Sequence, residues 1–265
     1  MEPTRIAEPF PPVLVYHKVD TGLELGVNVV SPRAFARQME WLAARGLAGV
    51  SLAEAIDGRA RAGESVVLTF DDAYDGLLRY ALPVLARFGF RGTLFAPSAF
   101  VGRTSAWDTR LLGRRYRHLD RAGLREFFAA GCEVGSHSAT HADLRRVGGA
   151  RLAGEIAGSR AALEEIVRAP VAAFAYPFGR ADARVREAVA RAGYRAACGG
   201  GAWRADGSVD RYAIPRLGVR AVDGIGAFRA KVAGGRIARV ERVKESIAHF
   251  AAGGTAPLRA LVPFL

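Results

Sequence analysis

Short apolar runs alternate with longer amphipathic segments along most of this chain. The runs have few polar positions, which is typical of strands buried on both faces of a parallel sheet. The pattern predicts strands at 13–17, 66–70, 92–96, 132–136 and 171–176, with weaker signals at 194–198 and 214–219.

The segments between these runs predict helices with recognisable ends. Ser31 followed by Pro32 is typical of a helix start, and Phe35, Met39 and Leu42 then fall on one face. Further helices are predicted at 77–88, 120–131, 152–167 and 182–193. Strands separated by helices indicate an α/β fold with a mainly parallel sheet, either open or closed into a barrel.

No linker or repeat divides the 265 residues, so we expect a single domain, 1–265, with its core at about 13–220. The remainder, about 223–265, is a basic tail. Within it, Arg236–Phe250 carries apolar residues on one side and charges elsewhere. This pattern predicts a helix, packed either on the core or against a membrane surface.

The net charge of +12 raises the question of nucleic-acid binding. Arginine supplies 35 of the 38 basic residues and is scattered, without aromatic residues interleaved in a basic stripe, so we expect no nucleic-acid partner. No apolar run approaches the roughly 20 residues that span a bilayer. No apolar signal core follows Met1–Arg5, which predicts a cytoplasmic protein, with peripheral contact at the inner face of the membrane left open.

Two polar motifs directly follow apolar runs, Thr69–Asp72 and Ser136–His141. Residues that follow strands of an α/β sheet gather where substrates bind. His137 and His141, four residues apart, are expected to share one face of a helical turn and to present two nitrogens to one metal ion. Asp72 would be the third ligand.

A carboxylate is then left over in the first motif. Asp71 is free to act as general base on the attacking water, which is the minimum apparatus of metal-assisted hydrolysis. Taken singly, an Asp pair is often a turn or helix cap, and a His pair is often a solvated helix face. The coincidence of both motifs after apolar runs favours the metal site.

These motifs resemble those of a known family. Thr69–Asp72 and His137–His141 are similar to the first two motifs of the polysaccharide deacetylases, carbohydrate esterase family four, and Phe174–Gly179 resembles the third. The resemblance extends from about Val13 to about Val219. It implies a distorted (β/α) barrel of about seven strands and metal-dependent removal of acyl groups from N-acylated sugars.

The resemblance also implies residue roles. Asp71 would be the base, and Asp72, His137 and His141 would bind a divalent metal, most readily Zn²⁺, with Co²⁺, Ni²⁺ or Fe²⁺ as alternatives.

The third motif departs from the family pattern. Its usual Arg, which pairs with the catalytic carboxylate, is replaced by Ala175, and Phe178 stands in place of Tyr. The Phe178 backbone N–H could still serve the oxyanion, with Tyr176 and Pro177 beside it as substrate-binding residues. Arg216 is a candidate for the missing cation; the alternative is an exposed Arg at a strand edge.

The general acid is expected near the start of the chain. The family uses a C-terminal Leu-x-His for this role, and no such sequence occurs late in the chain. Val15–His17 has the same form, which resembles the circularly permuted subgroup that includes poly-N-acetylglucosamine deacetylases. His17 would then be the acid, whereas a hydrogen-bonded core histidine is the alternative reading.

Two other residues carry weaker signals. Trp203 follows the glycines at 199–201 and could either stack on a sugar ring or fix that loop. His118 ends a basic run and is expected to be exposed.

The sequence thus predicts a metal-dependent hydrolase that removes N-acetyl or other N-acyl groups from an amino sugar in a polysaccharide or glycoconjugate, with a role in exopolysaccharide biosynthesis. One alternative substrate is a lipid-linked or nucleotide-linked sugar, and another is a non-sugar amide. An alternative of another class, favoured by the missing Arg, is an inactive carbohydrate-binding protein on the same scaffold. The oligomeric state stays open.

Overall fold

The computed structural model describes residues 4–6, 8–22, 27–109 and 115–233. Its strands are β1 (Arg5–Ile6), β2 (Val13–Tyr16), β3 (Lys18–Val19), β4 (Val29–Val30), β5 (Ala48–Val50), β6 (Ser65–Asp71), β7 (Thr93–Ala96), β8 (Thr104–Thr109), β9 (Arg115–Arg117), β10 (Glu133–Ser136), β11 (Ala173–Ala175), β12 (Ala196–Cys198), β13 (Val209–Asp210) and β14 (Leu217–Gly218). Its α-helices are α1 (Pro32–Ala44), α2 (Leu52–Ile56), α3 (Leu82–Arg87), α4 (Arg121–Ala129), α5 (Gly149–Ala153), α6 (Ser159–Val167), α7 (Ala183–Arg191) and α8 (Ile225–Ala233).

A curled sheet of parallel strands forms the centre of the described structure. Its strands lie in the order β12-β11-β10-β7-β6-β2-β14, and β5 pairs with β6 beside this path. All of these pairings are parallel. The half-barrel confirms the predicted α/β class and the distorted (β/α) barrel of about seven strands in one domain.

The two faces of the sheet bury different sets of side chains. In β6, Val66, Leu68 and Phe70 pack in the larger apolar cluster with the helices, whereas Val67 belongs to the smaller cluster with Phe95. Because side chains alternate along a strand, Asp71 shares the inner face with Val67. The buried apolar strand therefore delivers a carboxylate to the interior of the half-barrel.

The predicted elements are confirmed with small changes at their ends. Ser31 caps α1, Asp120 caps α4 and Asp182 caps α7, each by accepting a bond from a backbone N–H. The segment predicted at 77–88 begins as a π-helix, Leu77–Ala81, and continues as α3. The segment at 152–167 lies within one continuous run from α5 through a π-helix, Gly154–Gly158, to α6.

The elements that were not predicted include two units of the described chain. The pair β5–α2 is short and rich in small residues, so it carries too little periodicity to be recognised. The antiparallel hairpin β8–β9 lies between β7 and α4. The predicted helix at Arg236–Phe250 lies outside the described residues. Within the described part of the chain, no helix combines the length and apolar character needed to cross a bilayer.

Candidate active site

The side chains of the two motifs meet at the carboxyl ends of the central strands. Asp71 is the last residue of β6, and His137 directly follows β10. The register pairs Tyr16 with Phe70, so His17 and Asp71 continue the same pair of neighbouring strands. This arrangement follows from parallel pairing alone, since all carboxyl ends then lie on one edge.

The side chains of Asp72, His137 and His141 converge on one point. The His141 Nε2 atom lies 3.6 Å from the Asp72 Oδ1 atom, and the His137 Nε2 atom lies 3.9 Å from the same oxygen. One ligand atom from each of the three residues fits within 4.8 Å of the others. Two imidazoles and one carboxylate form a common catalytic zinc set with positions left for water and substrate.

The His137 ring is oriented for binding a cation. Its Nδ1–H donates to the Ala175 carbonyl oxygen over 2.8 Å, which leaves the lone pair of Nε2 directed at Asp72. Burial lowers the pKa of His137, and burial together with the nearby His137 lowers that of His141 well below its usual range. Both rings are therefore neutral, as metal binding requires.

The expectation that the two histidines share a helical turn is wrong. The segment after β10 is a loop in which Ser138 and His141 adopt left-handed conformations, with φ of 64° and 59°. The Ser138 hydroxyl accepts a bond from the His141 N–H over 3.0 Å. The loop thus brings the rings together by a tight turn, with ring centroids 4.8 Å apart, rather than by helical spacing.

A buried carboxylate, that of Glu155, accepts hydrogen bonds from this loop. The Glu155 side chain accepts bonds from the backbone N–H groups of Ala139 and Thr140, at 3.0 and 2.8 Å, and from the Thr140 hydroxyl. Glu155 lies in the π-helical stretch that precedes α6 and is 3% exposed. The Ala139 N–H also donates to the Glu155 backbone carbonyl over 3.0 Å, so both the backbone and the side chain of Glu155 hold the loop.

Arg216 reaches the interior of the half-barrel and pairs with Asp71. Its Nη1 and Nη2 atoms donate to the two Asp71 oxygens over 2.6 and 2.7 Å. Its guanidinium also lies over the Phe95 ring, 5.6 Å from the centroid. Gly135 makes this possible, because a Cβ there would lie 2.6 Å from the Phe95 ring. Arg216 is buried rather than exposed at a strand edge.

The two adjacent carboxylates have opposite electrostatic environments. Burial would raise the pKa of Asp71, but the Arg216 guanidinium and then His137 outweigh it and hold that pKa well below the usual range. Burial, and next the charge of Asp71, raise the pKa of Asp72. The Asp72 Oδ1 atom is buried and has no hydrogen-bond partner among the described residues. A cation at this point would satisfy it.

The turn that carries Asp72 is strained. Asp72 and Ala73 have φ of 67° and 50°, a region that costs L-residues about 1–2 kcal/mol each. Such conformations are concentrated at functional sites, where the surrounding structure enforces them. In this conformation the Asp72 Oδ1 atom lies within 4 Å of both histidines.

His17 is half-buried at the end of β2. Burial lowers the pKa of His17 to about 4, although the neighbouring Asp71 charge acts in the opposite direction. The imidazole is therefore neutral at neutral pH.

The third motif contributes residues unequally. The exposed Phe178 ring contacts His141, with centroids 4.7 Å apart, and the buried Pro177 directly precedes it. Tyr176, predicted to bind substrate, instead points into the helix-facing core, where its hydroxyl donates to the Tyr212 carbonyl over 2.9 Å. Alternation along β11 explains this, since Ala175 takes the inner face.

Trp203 also lies elsewhere. It lines a cavity of about 870 Å³ together with Phe10, Pro12 and Ser65. Pro12 precedes β2 and Ser65 begins β6, so this cavity lies at the amino ends of the strands. The structure therefore does not bring Trp203 to the candidate site.

Two aromatic residues at the site were missed or misjudged. Trp107, in the unpredicted hairpin, stacks on His141 with centroids 4.7 Å apart and an interplanar angle of 14°. His118 was expected to be exposed but is 2% exposed. Its Nδ1–H donates to the Asp72 carbonyl oxygen over 2.6 Å, and burial lowers its pKa. The basic run suggested exposure because its arginines Arg115 and Arg117 are exposed, whereas His118 is buried.

Comparison with known proteins gives consistent results. The model of the polysaccharide deacetylase family matches residues 58–197. YxkH of Bacillus subtilis (strain 168) is 25% identical over 188 residues, which is 69% of this chain and 62% of YxkH. This chain therefore spans less than two thirds of the length of that relative.

Solved structures share the fold. BC0361, a polysaccharide deacetylase from Bacillus cereus, is 25% identical with a TM-score of 0.70, and the match covers 85% of this chain and 69% of that one. IcaB from Ammonifex degensii is 25% identical with a TM-score of 0.67, covering 85% and 96%. The Streptococcus pyogenes deacetylase PplD, solved with acetate, has a TM-score of 0.72 at 20% identity. The match covers 84% of this chain and 98% of PplD, and it shows a similarity of fold.

Proposed function

Since the chain belongs to the polysaccharide deacetylase family, we propose that it is a metal-dependent hydrolase that removes N-acetyl or other N-acyl groups from an amino sugar in a polysaccharide or glycoconjugate. The observation that carries this proposal is the convergence of Asp72, His137 and His141 beside a second carboxylate, Asp71, that is held ionised by Arg216. A cation site with a separate base is what hydrolysis of an amide requires.

The residues present fit a divalent cation. Asp72, His137 and His141 would hold it, because the Asp72 Oδ1 atom is buried without a donor and both imidazoles are neutral with nitrogens directed at that oxygen. Such a cation, Zn²⁺ by the nature of the donor set, would polarise the acyl carbonyl and lower the pKa of water toward about 7.

In this proposal, different side chains of the protein carry the two proton transfers, from the water and to the leaving nitrogen. Asp71 accepts a proton from the attacking water, and Arg216 keeps that carboxylate ionised and fixed in orientation. The backbone N–H of Phe178 donates to the developing oxyanion. As the C–N bond breaks, the nitrogen must gain one proton.

His17 is the group that we assign to this last transfer. It is neutral at rest, with a pKa of about 4, so the proton that it delivers is the one that Asp71 took from water. One proton thus moves from water to the amine, and the products are a carboxylic acid and a free amino sugar. No external acid is needed.

The position of Arg216 also bears on the rival function. An inactive carbohydrate-binding protein was favoured by the missing Arg of the third motif. A guanidinium that binds both Asp71 oxygens supplies the same charge from another part of the chain. A cytoplasmic location, with or without membrane contact, stays a prediction from the sequence.

The proposal is tested by separating metal binding from turnover. Asp71→Asn should retain the metal in elemental analysis and lose acetate release, because the amide cannot serve as base. His137→Ala should lose the metal itself. Acetate would be assayed on N-acetylated oligosaccharides, on lipid-linked and nucleotide-linked N-acetyl sugars, and on simple acetamides. Full activity of Asp71→Asn would contradict the base assignment, and a wild-type protein without metal or amide hydrolysis would support the binding-protein alternative.

A further inference from the structure

The turn that carries Asp72 is bonded along its length to one segment, Arg117–Leu119. The Leu119 N–H donates to the Ala73 carbonyl over 2.7 Å, and the Asp75 N–H donates to the Arg117 carbonyl over 2.9 Å. Between these backbone bonds, the His118 ring donates from Nδ1 to the Asp72 carbonyl over 2.6 Å. Of these three bonds, the one to Asp72 itself is made by a side chain.

His118 is fixed in place on both sides. It stacks on Tyr74, with centroids 4.8 Å apart and an interplanar angle of 23°, and lies 5.2 Å from the Trp107 ring. The backbone N–H of His118 donates to the Arg103 carbonyl over 2.9 Å. The acceptor is a carbonyl oxygen, so Nδ1 must carry the hydrogen. The ring is therefore a rigid donor aimed at one atom.

The conformation that this donor meets is one that L-residues rarely adopt. Asp72 and Ala73 both have positive φ, and such a turn persists only where its surroundings determine it. The direction of the Asp72 carbonyl and the direction of its side chain are set by the same backbone dihedrals. A bond that fixes the carbonyl therefore also fixes the carboxylate relative to His137 and His141.

We propose that His118 is a positioning residue of the candidate metal site: its Nδ1–H bond to the Asp72 carbonyl holds the left-handed turn in which the Asp72 carboxylate faces His137 and His141. This inference rests on the proposed function only in taking those three residues as metal ligands. It makes His118 act through Asp72, without contact with substrate or cation.

The variants separate the donor from the ring. His118→Phe keeps an aromatic ring on Tyr74 and removes the donor. His118→Asn removes the ring but keeps an N–H donor on the atom attached to Cγ, where Nδ1 stands in histidine. Tyr74→Phe is the matched control, because it keeps the ring stack and removes only the hydroxyl bonded to Asp108.

The readout is the dissociation constant for Zn²⁺, measured on the full chain by competition with a chromophoric chelator. Outer ligand contacts of this kind change metal affinity about 10–100-fold, and we expect a loss in that range for His118→Phe. His118→Asn and Tyr74→Phe should stay near the wild-type value. Circular dichroism and thermal unfolding of the metal-free proteins accompany the titrations.

Each outcome decides the question. Unchanged Zn²⁺ affinity in His118→Phe, or a loss in His118→Asn equal to that in His118→Phe, would overturn the inference. Unfolding of both variants without metal would give His118 a purely structural role and would also overturn it. A wild-type chain that binds no Zn²⁺ would instead overturn the proposed function.

Discussion

The guanidinium of Arg216 donates to both oxygens of the Asp71 carboxylate, over 2.6 and 2.7 Å, from inside the half-barrel. Each member is less than a tenth exposed. A buried, bidentate ion pair of this kind fixes both the charge and the orientation of the carboxylate.

Replacing Arg216 with Met should therefore move the pH dependence of the reaction. Asp71, the proposed base, must be ionised to accept a proton, and the guanidinium holds the pKa of Asp71 well below its usual range. Without it, burial dominates and raises that pKa, so the acid limb of kcat/KM should move to higher pH. The measurement is kcat/KM from about pH 4, which is the ordinary pKa of an Asp side chain, up to about pH 8. Arg195→Met, at an exposed pair with Asp57, should leave the limb in place.

The same substitution should destabilise the fold in a pH-dependent way. An unpaired buried carboxylate costs about 3–5 kcal/mol of unfolding free energy. In the variant the folded-state pKa of Asp71 is raised, so the penalty is full at pH values above it and shrinks as the pH falls and the group takes up a proton. Urea unfolding of the metal-free proteins at several pH values would show this, and a pH-independent loss would contradict it.

His17→Asn should separate substrates by the quality of their leaving groups. A sugar amine cannot depart without a proton, so loss of the transfer group should lower kcat about 10²–10⁴-fold on N-acetyl sugars. 4-Nitrophenyl acetate releases a stable phenolate and should lose much less, with the metal content unchanged. Equal losses on both substrates would assign His17 a role other than proton transfer.

Glu155→Ala should weaken both the fold and the proposed metal site. The Thr140 N–H and hydroxyl would lose their acceptor, whereas the Ala139 N–H would keep its bond to the Glu155 backbone carbonyl. The expected cost is therefore about 1–3 kcal/mol in unfolding free energy. The loop that carries His141 would relax, so Zn²⁺ affinity should fall as well. Glu165→Ala is the control on the same helical run, since Glu165 is exposed; its effect should stay within about 0.5 kcal/mol. Denaturant unfolding and Zn²⁺ titration check both effects, and a wild-type Zn²⁺ affinity in Glu155→Ala would contradict the link.

The sequence was sufficient for features that depend on local pattern. The apolar run before Asp71 and the caps at Ser31, Asp120 and Asp182 mark their elements directly, because burial and capping act over a few residues. Parallel strands then require the motifs to meet at one edge.

Features that depend on distant contacts were harder to predict. Spacing suggested a helical turn for His137 and His141, whereas the loop geometry is set by Glu155, well along the chain. His118 and Trp107 lie in a segment without clear periodicity, and their orientation follows from contacts with both motifs. No local pattern reports such contacts.

The sheet order has a consequence for how the protein is made. Strand β14, next to Arg216, pairs with β2, next to His17, so opposite regions of the described chain are neighbours in the sheet. Contacts of such long sequence separation form late in folding, because a large loop must close first. On the ribosome, β2 has no β14 partner, and Asp71 has no guanidinium, until nearly all of the barrel has been synthesised. A chain interrupted before Arg216 would carry both motifs of the proposed metal site and yet hold a buried, unbalanced pair of carboxylates. We therefore expect the protein to be hydrolytically silent and poorly folded until translation passes β14.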